Sequence, residues 1–237
     1  MRIAKYIAHS GYCSRREAEK LISKNVVKIN SIICNNPATK VIDSDIITIN
    51  KKNVILEKKI RIWIFYKPNG IITTSKDPEG RKTIFDLLPK FFPRVITIGR
   101  LDINSEGLLL LTNNGDFARF FELPKNKFYR KYKVRLQGVI DKNKLIKLEN
   151  GITIDKIKYR PIKANLDKQM KSNAWVTIQL TEGKNREIRK ICSHFGWRVN
   201  KLIRTGYGIF NIGNLKVGDI KEIKDHPYND KNYWRKI

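Results

Sequence analysis

The stretch Gly99-Arg100-Leu101-Asp102-Ile103-Asn104-Ser105-Glu106-Gly107, running on into Leu108-Leu109-Leu110-Leu111-Thr112, decides how the rest of the chain is read. The apolar run Val95-Ile96-Thr97-Ile98 precedes it. Short apolar runs bounded by glycine are the pattern of buried strands. Between the two runs lies a loop carrying Arg100 and Asp102. A charge slung between buried strands is costly unless it has a partner or a task. Two readings follow. Asp102 caps a turn and pairs with Arg100 as scaffold, or it is a reactive carboxylate. The residues alone weigh these equally.

Composition narrows the task. The chain has 237 residues, 41% of them hydrophobic, which is enough for a buried core. Lys+Arg 49 against Asp+Glu 22 gives a net charge of +27. Such an excess favours a polyanionic partner, nucleic acid first and an anionic membrane second. No apolar run approaches the roughly 18 residues of a spanning helix, and no helix has the broad apolar face of a membrane-surface protein. The start, Met1-Arg2-Ile3-Ala4-Lys5-Tyr6, lacks the apolar core of a signal peptide, so a cytoplasmic protein is expected. Cys13, Cys34 and Cys192 are odd in number and far apart, which suits reduced core residues. His9, His194 and His226 are equally scattered, and no metal site is expected.

Residues 1–53 read as one unit, 54–59 as a lysine-rich linker, and 60–237 as a larger domain. In the first unit, Ile3, Ile7 and Ala8 share a helical face that Gly11 ends. Ser14-Arg15-Arg16-Glu17 is a capping box. The helix it opens carries Ala18, Leu21 and Ile22 inward and Arg15, Arg16, Lys20 and Lys24 outward. Runs at 26–29, 32–33 and 46–49 read as short strands, with Asn30-Ser31 as a turn. From residue 60, strands are expected at 60–65, 71–74, 95–98, 108–112, 132–136, 152–154, 174–180 and 220–223. Helices are expected at 83–88, 116–121, 142–148, 185–194 and 201–204. This irregular order predicts an α+β fold: a small N-terminal α/β unit and a larger domain with a mixed, mostly antiparallel sheet.

The segment 99–112 resembles the catalytic signature of the RsuA-type pseudouridine synthases, with Ser105 where that family has threonine. The order Arg2 to Ala8, Gly11, Ser14-Arg15-Arg16, Ala18-Glu19, Ile22, 27–30, Pro37, Val41 and 45–47 is similar to the S4 RNA-binding domain, with Asn25 and Ser31 where glycines are usual. Four more segments extend the likeness over nearly the whole chain. These are Tyr66-Lys67-Pro68-Asn69-Gly70, Arg130-Lys131-Tyr132-Lys133-Val134, Glu182-Gly183-Lys184-Asn185-Arg186-Glu187-Ile188-Arg189-Lys190, and Leu202-Ile203-Arg204-Thr205-Gly206-Tyr207-Gly208. Arg130 stands for a lysine, and Glu187 for a glutamine.

The resemblance implies that Asp102 is the catalytic nucleophile or base, that Tyr132 lies against the target uracil, and that Arg189 pairs with the aspartate. It implies RNA contacts for Arg100, Arg15, Arg16, Lys20, Lys24, Lys67, Arg130, Arg186 and Arg204, with Arg204 available for a phosphate. The reaction is redox-neutral and requires no cofactor. The implied substrate is a uridine in ribosomal RNA, with the 185–189 segment leaning toward the large subunit, acted on by a monomer. The rival is a non-enzymatic S4 RNA-binding or ribosome-assembly protein. Such a protein has no reason to keep Asp102, Tyr132 and Arg189 together.

Overall fold

The computed structural model describes residues 1–57 and 59–229. Lys58, inside the expected linker, and 230–237, the end of the expected larger domain, lie outside the described residues.

Local chemistry sets the N-terminal unit. The Ser14 hydroxyl accepts the Glu17 N–H at 3.2 Å, and the Glu17 carboxylate accepts the Ser14 N–H at 2.8 Å. This reciprocal cap starts helix α2 (Arg15–Ser23), which packs beside α1 (Ile3–His9). Both cover an antiparallel sheet of order β2-β1-β3-β4. Its strands are β1 (Val27–Ile29), β2 (Ile32–Ile33), β3 (Ile47–Ile49) and β4 (Lys52–Asn53). Asn30 and Ser31 both take positive φ, 47° and 71°, as a tight two-residue hairpin needs. Ile3, Ile7, Ala18, Ile22, Val27, Ile47 and Ile49 form the core between helices and sheet.

The larger domain is a nine-stranded sheet among the described residues. Its elements are β5 (Ile62–Lys67), β6 (Ile96–Ile98), β7 (Glu106–Thr112), α3 (Gly115–Glu122), β8 (Arg130–Gln137), α4 (Lys142–Lys147), the hairpin β9 (Ile152–Ile154) with β10 (Ile157–Tyr159), β11 (Lys163–Gln169), β12 (Asn173–Leu180), α5 (Glu187–His194), β13 (Val199–Tyr207), β14 (Phe210–Asn211) and β15 (Ile220–Ile223). The order is β11-β12-β8-β13-β7-β5-β15, with β6 on β7 and β14 on β13, while β9 and β10 pair apart. The β7–β13 pair is parallel and the others are antiparallel, which is the mixed, mostly antiparallel sheet expected.

The middle of strand β7, Leu108 to Leu111, shows why four leucines run together there. Leu108 and Leu110 enter a cluster with Ile62, Ile64, Phe117 and Phe121. Leu109 and Leu111 enter another, with Trp63, Phe65, Ile84 and Leu101. A strand covered on both faces has no polar side to show. Each fully buried leucine contributes about 1.5–3 kcal/mol.

Several expectations are corrected. Residues 201–204 belong to β13 and not to a helix; Leu202 and Arg204 are buried and Lys201 exposed, a two-residue period. Residues 71–74 form no strand beyond a bridge from Ile72 to Thr83. The helix at 83–88 is one 3-10 turn, Ile84–Leu87. Strands β4, β10, β11 and β14 lie outside the expected set; β11 is mostly exposed at the sheet edge, so its polar residues hide its pattern.

The N-terminal unit touches α3. Lys5 Nζ lies 2.6 Å from an Asp116 carboxylate oxygen, and the Arg94 guanidinium donates to the Ala8 carbonyl at 3.4 Å. No helix of the described residues is long and apolar enough to cross a membrane.

Candidate active site

The loop between β6 and β7 is held by its backbone. Gly99 turns the chain at φ +70°, and its N–H donates to the Glu122 carboxylate at 2.8 Å. Beyond it, five consecutive carbonyls are occupied. The Leu101 carbonyl accepts the Thr73 hydroxyl at 2.9 Å, and that of Asp102 accepts the Ser105 N–H at 3.0 Å. The Ile103 carbonyl accepts the Gly70 N–H at 2.8 Å, and that of Asn104 accepts the Arg189 guanidinium at 2.7 Å. The Ser105 carbonyl accepts Lys67 Nζ at 2.8 Å. Each bond removes a degree of freedom from the segment bearing Asp102 before any ligand arrives, which is preorganisation.

The half-buried Asp102 faces a cavity of about 70 Å³ lined by Arg100, Leu101, Asp102, Ser105, Tyr132, Leu180, Gly183, Glu187, Ile188 and Leu202. Among the described residues no hydrogen bond or ion pair engages its carboxylate. Tyr132 sits on β8, half-buried between the cluster of Trp63, Phe65, Leu109 and Leu111 and a third cluster that includes Val134, Leu180, Ile188 and Leu202. Arg100 is exposed at the rim. A carboxylate with no internal partner, beside an aromatic face and an arginine, is arranged to act on a bound ring or sugar.

Four expected roles change. Arg189 does not form the expected pair with Asp102; its guanidinium donates to the Asn104 carbonyl at 2.7 Å and the Val199 carbonyl at 3.4 Å. The aspartate is still close enough to favour its charge, against burial and Arg186. Lys67 is 0% exposed and grips the Ser105 and Pro68 carbonyls, so it holds the loop and offers nothing to a phosphate. Burial pushes its amine down to about 8, while Asp102 and Glu106 oppose the drop. Arg204 is 2% exposed and donates to the Leu108 carbonyl at 2.7 Å, so it is not available for a phosphate. Arg130 directs its guanidinium inward to the Tyr207 hydroxyl at 2.8 Å and the Thr181 carbonyl at 3.2 Å.

The remaining basic candidates lie at the surface. Arg15, Arg16, Lys20 and Lys24 are exposed along α2, with Arg15 angled toward Gly115 and Asp116. Arg186 is exposed before α5 in the left-handed region, φ 52°, a conformation that costs energy in a non-glycine residue. Of the free cysteines, Cys34 and Cys192 are core residues as expected and Cys13 is only half-buried; burial pushes the Cys192 thiol up to about 12.

Two acids close the loop that walls the cavity. Glu187 is 4% exposed; one oxygen accepts the Lys184 N–H at 2.9 Å, and the other is buried without a hydrogen bond. Burial, with Glu182 alongside, raises its carboxyl to about 7, while the Lys184 N–H and charge oppose the rise. Burial also works against ionising Glu182, but Lys184 and the Arg160 N–H outweigh it and hold that group low. Burial therefore makes the pair give up its second proton only around neutrality, well above the usual carboxylate range.

A raised folded-state pKa means stability is fully present below the unfolded value of 4.5 and is lost as pH rises through about 7. Glu187→Gln keeps shape and a donor but cannot ionise. Urea unfolding from pH 4.5 to 8 should show wild type losing on the order of 2 kcal/mol relative to the variant. Parallel stability profiles would show that Glu187 is ionised throughout.

Sequence reasoning missed Thr73, which holds the Leu101 carbonyl, and Gly183, which lines the cavity. Both lay inside or beside quoted motifs, but only the fold shows what they touch.

Comparison with known proteins follows from this geometry. A profile described as RNA pseudouridylate synthase matches residues 61–194, and an S4 domain profile matches residues 1–47. A protein described as an uncharacterized RNA pseudouridine synthase of Rickettsia felis is 53% identical over 225 residues, 94% of this chain and 97% of the relative. Ribosomal large subunit pseudouridine synthase B of Bacillus subtilis is 39% identical over 227 residues, 95% of this chain and 93% of the relative. A solved structure titled as that of a pseudouridylate synthase superposes with a TM-score of 0.68 at 23% identity, over 94% of this chain and 96% of that one. At that identity the likeness speaks for the fold.

Proposed function

This chain belongs to the RNA pseudouridylate synthase family, and from that premise we propose that it isomerises one uridine of large-subunit ribosomal RNA, with Asp102 as its catalytic carboxylate. The bond from the sugar to N1 of uracil breaks, the base turns, and a bond to C5 forms as the C5 proton moves to nitrogen. Atoms and electrons balance without a cofactor. Asp102 serves by bonding to the sugar or base, or by taking a sugar proton. Tyr132 gives the extruded base a face to lie on, and Arg100 meets a phosphate at the rim. The N-terminal unit, residues 1–53, holds the RNA, and the reading implies a monomer working in the cytoplasm.

The observation supporting this is the unpartnered Asp102 carboxylate on a pinned loop, in one cavity with Tyr132. The test is to incubate the enzyme with a large-subunit ribosomal transcript and map pseudouridine along it. One modified uridine is expected. None, with small-subunit RNA modified instead, would reverse the assignment of substrate.

Two predictions belong here. Arg189 acts through the Asn104 and Val199 carbonyls, which a lysine cannot span with one ammonium. Arg189→Lys should lower the single-turnover rate about tenfold, ~1.4 kcal/mol of barrier, while Lys190→Arg at an exposed position leaves it unchanged. Equal small effects would make Arg189 a surface cation. Changing Arg16, Lys20 and Lys24 to glutamine should flatten the salt dependence of RNA binding by about 0.7–0.9 per lost phosphate contact. An unaltered slope would take α2 out of the interface.

A further inference from the structure

A second cleft of the domain is larger than the cavity holding Asp102. A cleft of about 540 Å³ lies on the other side of Gly183, which lines both. That volume falls within the roughly 300–1,000 Å³ of small-molecule sites, whereas the Asp102 cavity is far below it. Its walls are the Pro124 turn, the β9–β10 hairpin with the following Arg160-Pro161, and the Glu182-Gly183-Lys184 loop. Lys158, Arg160 and Lys184 are exposed there. The one acid, Glu182, is already met by Lys184 Nζ at 2.8 Å and by Arg160 Nε at 3.9 Å. Lys158 has no ion pair among the described residues. Three cations against one satisfied carboxylate leave the cleft positive. Pro124 and Pro161 give it rigid apolar wall.

We infer that this cleft is a subsite for a nucleotide of the RNA strand flanking the target uridine, with its phosphodiester held by Lys158 and Arg160. The inference rests on the reading of the Asp102 cavity as the uridine site. Continuity argues for one strand serving both. Gly183, which has no side chain, lines both cavities, so a base in the small one and its neighbour in the large one would flank the same residue. Extruding a base leaves the adjoining nucleotides unstacked, and apolar wall with cations suits such a nucleotide. Glu182 and Glu187 fix the shared loop from beneath, and so tie the shape of the cleft to that of the catalytic cavity.

The test uses the full chain and a large-subunit ribosomal transcript carrying 4-thiouridine in place of uridine. Irradiation followed by peptide mapping is expected to give crosslinks within 158–161 and 182–184. In parallel, Lys158→Gln and the double variant Lys158→Gln/Arg160→Gln are titrated with unsubstituted transcript over a range of salt. The double variant should weaken half-saturation about tenfold and reduce the salt slope by about 1.4, two contacts at 0.7 each on single strand, while the saturated rate changes less than threefold. Lys158→Gln alone removes no described bond of the fold and should give about half the slope change. Crosslinks confined to other surfaces, or slopes equal to wild type, would overturn the inference. Crosslinks at the cleft, with no pseudouridine formed in the unsubstituted transcript, would keep the cleft as an RNA site and sink the catalytic reading instead.

Discussion

Asp102→Asn is expected to reduce pseudouridine formation at least about a thousandfold, ~4 kcal/mol of barrier, with RNA affinity within a few-fold of wild type. Amide and carboxylate are nearly the same shape, yet only the carboxylate can bond to carbon or take a proton under these conditions. The structure adds a control. No described hydrogen bond or ion pair uses the Asp102 side chain, whereas its backbone and its neighbours' carbonyls are all engaged. The melting temperature should therefore stay put as activity falls. Single-turnover assays and filter binding on one transcript, with thermal unfolding alongside, separate the outcomes. Turnover within tenfold of wild type would remove Asp102 from catalysis. A large loss of stability would return it to the scaffold.

Gly107→Ala should destabilise the domain by about 3 kcal/mol or more. Gly107 pairs with Arg204 where the two parallel strands meet, at φ +103°. A Cβ there would overlap the Arg204 carbonyl oxygen and stand 2.8 Å from the Arg204 nitrogen. Both are backbone atoms in a paired strand, so neither can swing aside, and the side chain of Arg204 is itself buried on the Leu108 carbonyl. Gly99→Ala is the comparison. It also sits at positive φ, +70°, but a Cβ there meets nothing within 4 Å, so only the backbone preference of about 1–2 kcal/mol is lost. Urea unfolding of the two variants should differ sharply. Equal midpoints would mean that β7 and β13 do not approach in this register.

The parts legible in the sequence were those with a local physical signature. The reciprocal cap at Ser14 and Glu17, the Asn30-Ser31 turn and the leucine strand each follow from neighbouring residues and fold as read. The family likeness brought Asp102, Arg100 and Tyr132 together, and they line one cavity. Depth was not legible. Lys67 and Arg204 look in sequence like any basic residue, yet both are buried donors to carbonyls that β5 and β13 alone bring near. Arg189 was placed in the right neighbourhood with the wrong partner, because a motif gives proximity and not the atom contacted. The cleft beside Gly183 was invisible for a related reason. Its strand β10, Ile157-Lys158-Tyr159, is three residues long and mostly exposed, too short for a period to register.

The pairing order of the strands also sets a timetable for the newborn chain. Every strand pair of the N-terminal sheet closes by residue 53. Strand β5, by contrast, emerges early but lies between β7 and β15, and its outer partner ends at Ile223. Contacts this distant in sequence form late, and synthesis proceeds at only about 5–20 residues per second. For several seconds of each molecule's birth, the N-terminal sheet thus has its full set of partners while the strand carrying Lys67 still waits for its neighbour. The N-terminal unit is complete before the sheet that carries the Asp102 loop, in the life of the polypeptide as in its order along the chain.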